Sequence, residues 1–378
     1  MFRKKTILPF LFLLISGFSL SAKEISVDIA FVMDLSGSTN GLLNQFRDRY
    51  WQIVNAANSF QQPVKLRIGI IGYSRPSFGK KNLYVKVIQD LTDDFDSIAK
   101  NTFTIFTITD QGEQYVGYAL KKTINKLSWS REPDGVRLVF LIGNGSAIMG
   151  GKDYLAPCKH AVYQDIVINT VWCRTYFNVK EVKQWIEISK LGRGEFYDID
   201  VNKRLPNISP ATGQDLLLDL NKIINSTYVY YGSHGRSRYK NLFEMDTLAS
   251  QAGEIAFCER VGAKASAQFI EKNDSWDLVD LYLKRKLFWS DIDTALIPEK
   301  LRNMSDDERY KFISKKWEER RLAISKIRVL YSTWRSQTDE WKKNMKISEG
   351  GLLVYVVLDA LHREAGKKGL KRKGLAIR

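Results

Sequence analysis

The chain has 378 residues, of which 44% are hydrophobic and 12% are aromatic. This composition is ample for a packed interior and excludes both an intrinsically disordered chain and a small disulfide-rich scaffold. The formal net charge of +16 favours an acidic partner such as an anionic lipid, a cell-wall polymer, nucleic acid or an acidic protein face; a basic protein without an electrostatic partner is the alternative.

The N-terminus has the pattern of a secretory signal peptide. Three basic residues at positions 3–5 precede an apolar run from Ile7 to Leu20, after which small residues follow. The run is shorter than the roughly 20 apolar residues of a membrane span. We therefore predict a signal peptide at residues 1–22 and an exported protein, periplasmic or extracellular, with no transmembrane span in the mature chain.

From Glu24 onward, apolar segments that predict strands alternate with amphipathic segments that predict helices. This alternation predicts an α/β fold with a doubly wound, mostly parallel sheet, which would bind its ligand at the carboxyl ends of the strands. The predicted strands are Ile25–Met33, Leu66–Tyr73, Leu83–Ile88, Val136–Ile142, Ile166–Trp172 and Phe196–Ile199. The predicted helices are Leu42–Phe60, Tyr115–Leu127, Pro157–Tyr163, Val179–Leu191 and Asp215–Asn225.

This pattern divides the chain after residue 23 into three parts. The sheet domain is predicted over residues 24–227. Residues 228–240 are rich in Gly, Ser, Tyr and Arg and are interpreted as a linker or an ordered connection. Residues 241–378 are predicted to form a mainly helical C-terminal region that ends in a basic tail.

The C-terminal region contains one long predicted helix. Ser305 and Glu308 form a capping box, and a long stretch free of Gly and Pro follows them. This helix could lie against the sheet domain, pair with a preceding helix or form a coiled coil between chains. Aromatic residues at the seam positions favour packing within the chain.

The end of the chain is strongly basic. A solvated tail is the usual interpretation of such a run. The alternative is contact with an anionic surface, to which each charge could contribute about 1 kcal/mol. The candidate residues are Lys367, Lys368, Lys371, Arg372 and Lys373.

The turn after the first predicted strand carries the clearest functional signal. It reads D-L-S-G-S, so that Asp34, Ser36 and Ser38 stand at alternate positions. Alternate spacing directs the three oxygen-bearing side chains to one side. One carboxylate and two hydroxyls suit Mg²⁺, with Mn²⁺ or Ca²⁺ as alternatives. Helix capping is the other explanation, but it accounts for one such residue and not for three.

This D-x-S-x-S segment resembles the metal-ion-dependent adhesion site of the von Willebrand factor A family, and the resemblance covers roughly residues 27–224. It implies a Rossmann-like domain that binds a protein partner, with an acidic side chain of the partner completing the metal coordination. In the family, a Thr or acidic ligand precedes the third helix. Here the resemblance implies Glu113 as that ligand, in preference to Asp110 or Gln114. The alternative is that Glu113 is an ordinary glutamate in the first turn of the helix, where it complements the helix dipole.

The family also closes its central strand with an Asp, which is typically followed by Gly. This chain has Asn144 before Gly145 at the corresponding position. Compared with aspartate, asparagine keeps one side-chain oxygen that could bind a metal but lacks the negative charge. We therefore expect weaker metal binding here unless Glu113 or the partner's carboxylate replaces that charge.

The resemblance also bears on the three cysteines. The implied fold places Cys158 at the start of a helix and Cys173 at the end of the next strand, both at the metal-bearing edge. This placement favours a disulfide between them in an oxidising compartment, while two independent buried thiols are the alternative. Cys258 makes the number odd, so at least one thiol is unpaired within the chain.

Four other segments resemble bacterial secreted members of the family that carry a conjoined helical region. That likeness implies no particular activity or partner. The segments are Trp185–Asp198, Tyr228–Gly232, Trp276–Asp280 and Leu358–Leu361.

The sequence favours a binding module and not an enzyme. His160, His234 and His362 are scattered and make no zinc-ligand spacing, and no nucleophile motif is present. The leading prediction is a divalent-metal-dependent, adhesion-type protein-binding module. The alternative is an envelope scaffold protein that binds through its helical region and basic tail and has a vestigial metal site.

Overall fold

A computed structural model describes residues 24–105, 113–151, 153–175, 178–203, 212–270, 272–346 and 351–373. The predicted signal peptide and Asp110 lie outside these residues. Within the described ranges, no helix has both the length and the hydropathy that a membrane crossing requires.

A six-stranded sheet forms the centre of the protein, in the strand order β3-β2-β1-β4-β5-β6. All neighbouring strands are parallel except β2 and β3, which are antiparallel. The innermost strands are apolar and buried on both faces, as expected of a parallel sheet covered by helices. The strands are β1 (Ile25–Asp34), β2 (Val64–Tyr73), β3 (Lys86–Thr92), β4 (Val136–Gly143), β5 (Val167–Arg174) and β6 (Arg193–Asp200).

The described residues form twelve α-helices, of which five lie next to the strands in the chain and cover both faces of the sheet, as expected of a doubly wound fold. These five are α1 (Asn40–Ala56), α2 (Phe95–Thr104), α3 (Val116–Lys126), α4 (Leu155–Tyr163) and α5 (Val179–Leu191). The remaining seven are α6 (Gln214–Asn225), α7 (Gly235–Ala252), α8 (Glu254–Lys264), α9 (Leu278–Leu283), α10 (Glu299–Arg302), α11 (Asp306–Asn344) and α12 (Leu353–Lys367).

Two apolar layers, one on each face of the sheet, hold the helices in place. On one face α1 and α2 share a core with α12 and parts of α7 and α8. On the opposite face α3, α4 and α5 share a second core. The prediction of a doubly wound, mostly parallel sheet followed by helices is therefore confirmed.

The sheet has a topological switch point between β1 and β4. The chain leaves β1 for β2 on one side, and it leaves β4 for β5 on the other side. Parallel strands all end at one edge of the sheet, and such a switch point opens a crevice at that edge where α/β proteins bind ligands. The D-L-S-G-S turn lies at this edge, because β1 ends at Asp34.

Two details of the predicted sheet domain are wrong. The third strand begins at Lys86 and not at Leu83, because Leu83 and Tyr84 adopt positive φ angles of 48° and 55° in a turn that precedes it. Helix α2 went unpredicted, although Asp94 caps its first turn by accepting a hydrogen bond from the Ser97 backbone N–H at 3.2 Å.

The predicted domain boundary at residues 228–240 does not separate two cores. Tyr228 and Val229 are buried, and Arg320 of α11 donates a hydrogen bond to the Thr227 carbonyl at 2.9 Å. The segment is thus an ordered connection. Leu353 and Leu361 of α12 lie in the core against the sheet, so the chain returns to the sheet domain after the helical region.

Helix α11 begins with the predicted capping box at Ser305 and Glu308 and runs for 39 residues. Ile324, Ile327 and Trp334 on one of its faces share a core with α6 and α8. The helix therefore packs within the chain, as its aromatic seam predicted.

A buried ionic cluster joins the helical region to the sheet domain. Arg260 of α8 pairs with Asp96 of α2 at 2.5 Å and with Asp246 of α7 at 3.0 Å. Lys264 pairs with the same Asp246 at 2.8 Å. Burial raises the pKa of Asp246, but the charges of Lys264 and Arg260 outweigh burial and hold that pKa well below its usual range. Both cations therefore depend on Asp246 as a counter-charge.

Replacing Asp246 by alanine should lower the free energy of unfolding by about 3–5 kcal/mol, because two buried cations lose that counter-charge. The matched control is Glu244→Ala on the same helix, which removes only the half-exposed pair with Lys100 and should cost less than about 1 kcal/mol. Urea unfolding followed by circular dichroism measures both variants. Equal losses for the two would contradict this account of the cluster.

Candidate metal centre

The turn after β1 brings the three predicted oxygen ligands together. The Asp34 side chain is buried, and its Oδ1 accepts a hydrogen bond from the Ser36 backbone N–H at 2.9 Å. The hydroxyls of Ser36 and Ser38 lie 3.0 Å apart. The three side chains therefore converge at the end of β1, as the alternate spacing predicted.

Thr39, which lies outside the D-x-S-x-S pattern, stabilises the conformation of this turn. Its hydroxyl is within 2.7 Å of the Asp34 carbonyl oxygen and 2.9 Å of the Ser36 carbonyl oxygen. Neither the short 3-10 turn at residues 37–39 nor α1 has a side-chain cap. Helix capping thus does not explain the two serines, whose hydroxyls contact each other.

Asn144 follows β4 and joins the same cluster. Its Oδ1 accepts a hydrogen bond from the Ser38 hydroxyl at 3.3 Å. Its Nδ2 donates to the Cys173 carbonyl oxygen at 3.3 Å and to the Thr175 hydroxyl at 3.2 Å. The amide thus presents oxygen to the centre and N–H to β5. An aspartate here would place a negative oxygen against the Cys173 carbonyl oxygen, so an asparagine suits these surroundings better.

The structure places Gln114, and not Glu113, at the centre. Gln114 Nε2 donates a hydrogen bond to Asp34 Oδ2 at 3.0 Å. Glu113 is exposed and accepts a hydrogen bond from the Tyr115 hydroxyl. Successive residues of this non-helical segment point in different directions, so only one of the two can face Asp34. The sequence-based choice of Glu113 is therefore corrected.

The backbone at Gly145 leaves room for Gln114. Gly145 has a φ of +78°, and a Cβ atom at this position would clash with Gln114 Oε1. Glycine tolerates this φ without strain. Asn144 thus directs its side-chain oxygen to the centre, and Gly145 leaves the space that the Gln114 side chain occupies.

Burial dominates the electrostatics of the centre. It raises the pKa of Asp34 to about 6, against the lowering effect of the hydrogen bonds from Ser36 and of the nearby Ser74 hydroxyl. No group of three His, Cys, Asp or Glu side chains suited to a metal occurs among the described residues. The centre combines one carboxylate with hydroxyl and amide oxygens, and this set fits Mg²⁺, which takes few carboxylates and keeps several waters.

The predicted disulfide between Cys158 and Cys173 is wrong. Both thiols are free and buried, and they lie in the cores on opposite faces of the sheet. Burial raises the pKa of Cys158 to about 12 and that of Cys173 well above its usual range, so both stay protonated thiols. The sequence placed both residues at one edge of the sheet, but it gave no information on which face each occupies.

The basic tail lies at the opposite edge of the sheet. The Lys371 carbonyl accepts a hydrogen bond from the Gln61 backbone N–H at 2.8 Å, just before β2 begins. Lys367 and Lys368 form ion pairs with Glu364 and Asp165. Among the five candidate residues, Lys371, Arg372 and Lys373 are exposed and form no ion pair within the described ranges, whereas Lys367 is exposed but paired. A β1 strand of ten residues separates the two edges by roughly 30 Å.

A basic rim borders the candidate metal centre. We define it as Lys80, Lys81 and Lys86, in the connection from β2 to β3 and at the start of β3. Because β2 is parallel to β1, this connection leaves the sheet at the same edge as Asp34. All three lysines are exposed, and none has a salt-bridge partner within the described part of the chain.

Residues 28–197 match the family model of the von Willebrand factor type A domain. The match runs from β1 into β6 and includes the candidate metal centre. It agrees with the resemblance to this family that the sequence indicated for the sheet domain. No match was found among curated protein sequences.

Several solved structures are similar to part of this chain. An aerotolerance-related membrane protein from Bacteroides fragilis has 16% identity and a TM-score of 0.33, over 47% of this chain and 92% of that one. A von Willebrand factor type A protein from Catenulispora acidiphila has 10% identity and a TM-score of 0.36, over 47% and 39%. The pilus adhesin SpaC from Lactobacillus rhamnosus GG has 16% identity and a TM-score of 0.35, over 47% and 29%.

The role of the Asn144 amide can be tested without metal. In the presence of chelator, Asn144→Asp should lower the free energy of unfolding by about 1–3 kcal/mol, because the carboxylate loses two donated hydrogen bonds. Asn178→Asp is the control. Asn178 caps α5, because its side-chain oxygen accepts hydrogen bonds from the backbone N–H groups of Lys180 and Glu181. An aspartate caps a helix equally well, so this variant should keep its stability. Urea unfolding compares the two; an unchanged Asn144→Asp protein would contradict the assigned amide orientation.

Proposed function

We propose that this protein is a divalent-metal-dependent protein-binding module of an exported bacterial protein, with Mg²⁺ held by Asp34, Ser36 and Ser38. The observation that carries the proposal is the convergence of these three side chains with Asn144 at the switch point of a von Willebrand factor type A domain. When bound, the cation would supply a Lewis-acidic position that accepts an oxygen from outside the chain.

The charge of the centre supports this proposal. Asp34 is buried, and its two oxygens accept hydrogen bonds from Ser36 N–H and the Gln114 amide, which are both neutral groups. A buried carboxylate is costly unless an opposite charge compensates it. Mn²⁺ or Ca²⁺ could replace Mg²⁺, since the donors are all oxygens.

The low ligand charge supports an acidic partner. One carboxylate leaves a divalent cation with an excess positive charge, and Asn144 adds none of the compensation that an aspartate would give. A carboxylate from the partner would complete both the coordination and the charge. The basic rim adds further positive charge on the same edge, where it would attract an acidic surface.

We place the function in binding and not in catalysis. The described surroundings of Asp34 are hydroxyl and amide groups, and none of these is a strong general base. The three histidines lie elsewhere: His160 in α4, His234 before α7, and His362 beside Ser59.

The alternative is an envelope scaffold whose helical region and basic tail carry the interaction, with a vestigial metal site. The exposed Lys371, Arg372 and Lys373 support an anionic contact at the far edge of the sheet. That mode would be lost at high salt or on replacing the three residues by glutamine, and it would be indifferent to chelator. Binding through the metal site, in contrast, would be lost when a chelator removes the cation.

Asp34→Asn is expected to abolish Mg²⁺-dependent capture of the partner from an envelope extract and to reduce Mn²⁺ affinity at least tenfold, because the charged ligand is lost. Asp200→Asn is the matched control, since Asp200 ends β6 at the same edge and is exposed. Isothermal titration calorimetry with Mn²⁺ and pull-downs with and without chelator provide the measurements. Wild-type capture by Asp34→Asn would refute the metal-dependent function.

Reversing the charge of the basic rim should slow association with the partner. We expect the Lys80→Glu/Lys81→Glu variant to lower the association rate about tenfold at low salt and to retain Mn²⁺ affinity, because steering acts through the field at the surface. Lys121→Glu/Lys126→Glu on α3 makes the same change in net charge away from this rim. Surface plasmon resonance at two salt concentrations compares the pairs; equal effects would show that net charge alone matters.

A further inference from the structure

Ser74 is a strained, buried residue beside the metal centre. It follows the last residue of β2, is fully buried, and has a φ of 66°. Side chains other than glycine adopt such angles rarely and at a cost in energy, and residues of this kind concentrate at functional sites. No motif in the sequence marks this position.

The hydroxyl of Ser74 lacks a hydrogen bond. Among the described residues, its Oγ is buried and no donor or acceptor meets hydrogen-bond geometry with it. Unsatisfied buried polar atoms are rare in native proteins and require an explanation. A glycine would adopt this φ without strain and an alanine would occupy nearly the same volume, so the distinctive property of Ser74 is its hydroxyl.

Ser74 stands beside the end of β1, where Asp34 lies. Tyr73 pairs with Asp34 in the sheet register, and the Leu35 backbone N–H donates to the Tyr73 carbonyl at 3.1 Å. The first residues beyond β1 and β2 therefore run next to each other. The Ser74 hydroxyl also contributes to lowering the pKa of Asp34, in agreement with its position close to that carboxylate.

We propose that Ser74 is a positioning residue of the metal centre, whose hydroxyl donates a hydrogen bond to the Asp34 carboxylate when a divalent cation is bound. This inference rests on the proposed metal site. The hydroxyl would fix the orientation of the one charged ligand, as groups behind a metal ligand generally do. It would also extend the centre from β1 and β4 to β2, the strand that leads into the basic rim.

The test uses the full chain with Ser74→Ala, which removes the hydroxyl and keeps the Cβ. We expect Mn²⁺ affinity to fall roughly 10- to 150-fold, the range for a hydrogen bond to a charged group, while the melting temperature in chelator stays unchanged. Ser74→Gly should lose the same affinity even though it relieves the backbone strain. Ser189→Ala is the control, since Ser189 is also buried but its hydroxyl bonds only within α5.

The outcomes separate this inference from the proposed function. Wild-type Mn²⁺ affinity in Ser74→Ala, combined with its loss in Asp34→Asn, overturns the role of Ser74 and leaves the metal site intact. A lower melting temperature in chelator with unchanged affinity identifies a purely structural hydroxyl and also overturns it. A wild-type chain that binds no Mn²⁺ overturns both proposals together.

Discussion

The burial of one carboxylate at the end of β1 is the constraint on which the site depends. Asp34 is 2% exposed, and hydrogen bonds from Ser36 and Gln114 satisfy its oxygens without supplying a positive charge. Burial therefore still raises the pKa of Asp34, to about 6. A divalent cation, as proposed, would supply the missing charge, and the hydroxyls that surround the carboxylate are the neutral oxygens such a cation accepts.

The architecture places this carboxylate at the edge of the sheet where α/β folds bind their ligands. The switch between β1 and β4 opens a crevice at one edge of the sheet, and the turn that follows β1 lies in that crevice. The helical region is inserted between β6 and α12, and α12 then returns to cover the sheet. The ionic cluster around Asp246 fixes this insertion to α2 of the sheet domain, and the basic tail docks at the opposite edge.

Much of the fold followed from local pattern. The runs that became β1 and β4 are almost continuously apolar, so their burial on both faces could be predicted from the sequence. The structure of segments with weak or misleading patterns could not be predicted from the sequence. The turn at Leu83 and Tyr84 has β-prone residues in a left-handed conformation, and the return of α12 to the sheet depends on contacts between residues far apart in the chain.

The sequence by itself determined the strand that ends in Asp34, the alternate spacing of Ser36 and Ser38, and the placement of Asn144 after the central strand, because these features depend on short-range periodicity. Only the tertiary structure decided that Gln114 and not Glu113 faces the carboxylate, that Cys158 and Cys173 lie on opposite faces of the sheet, and that Ser74 lies beside Asp34. The physical reason is that the face a side chain occupies depends on how distant segments pack in three dimensions, and local sequence does not encode that packing.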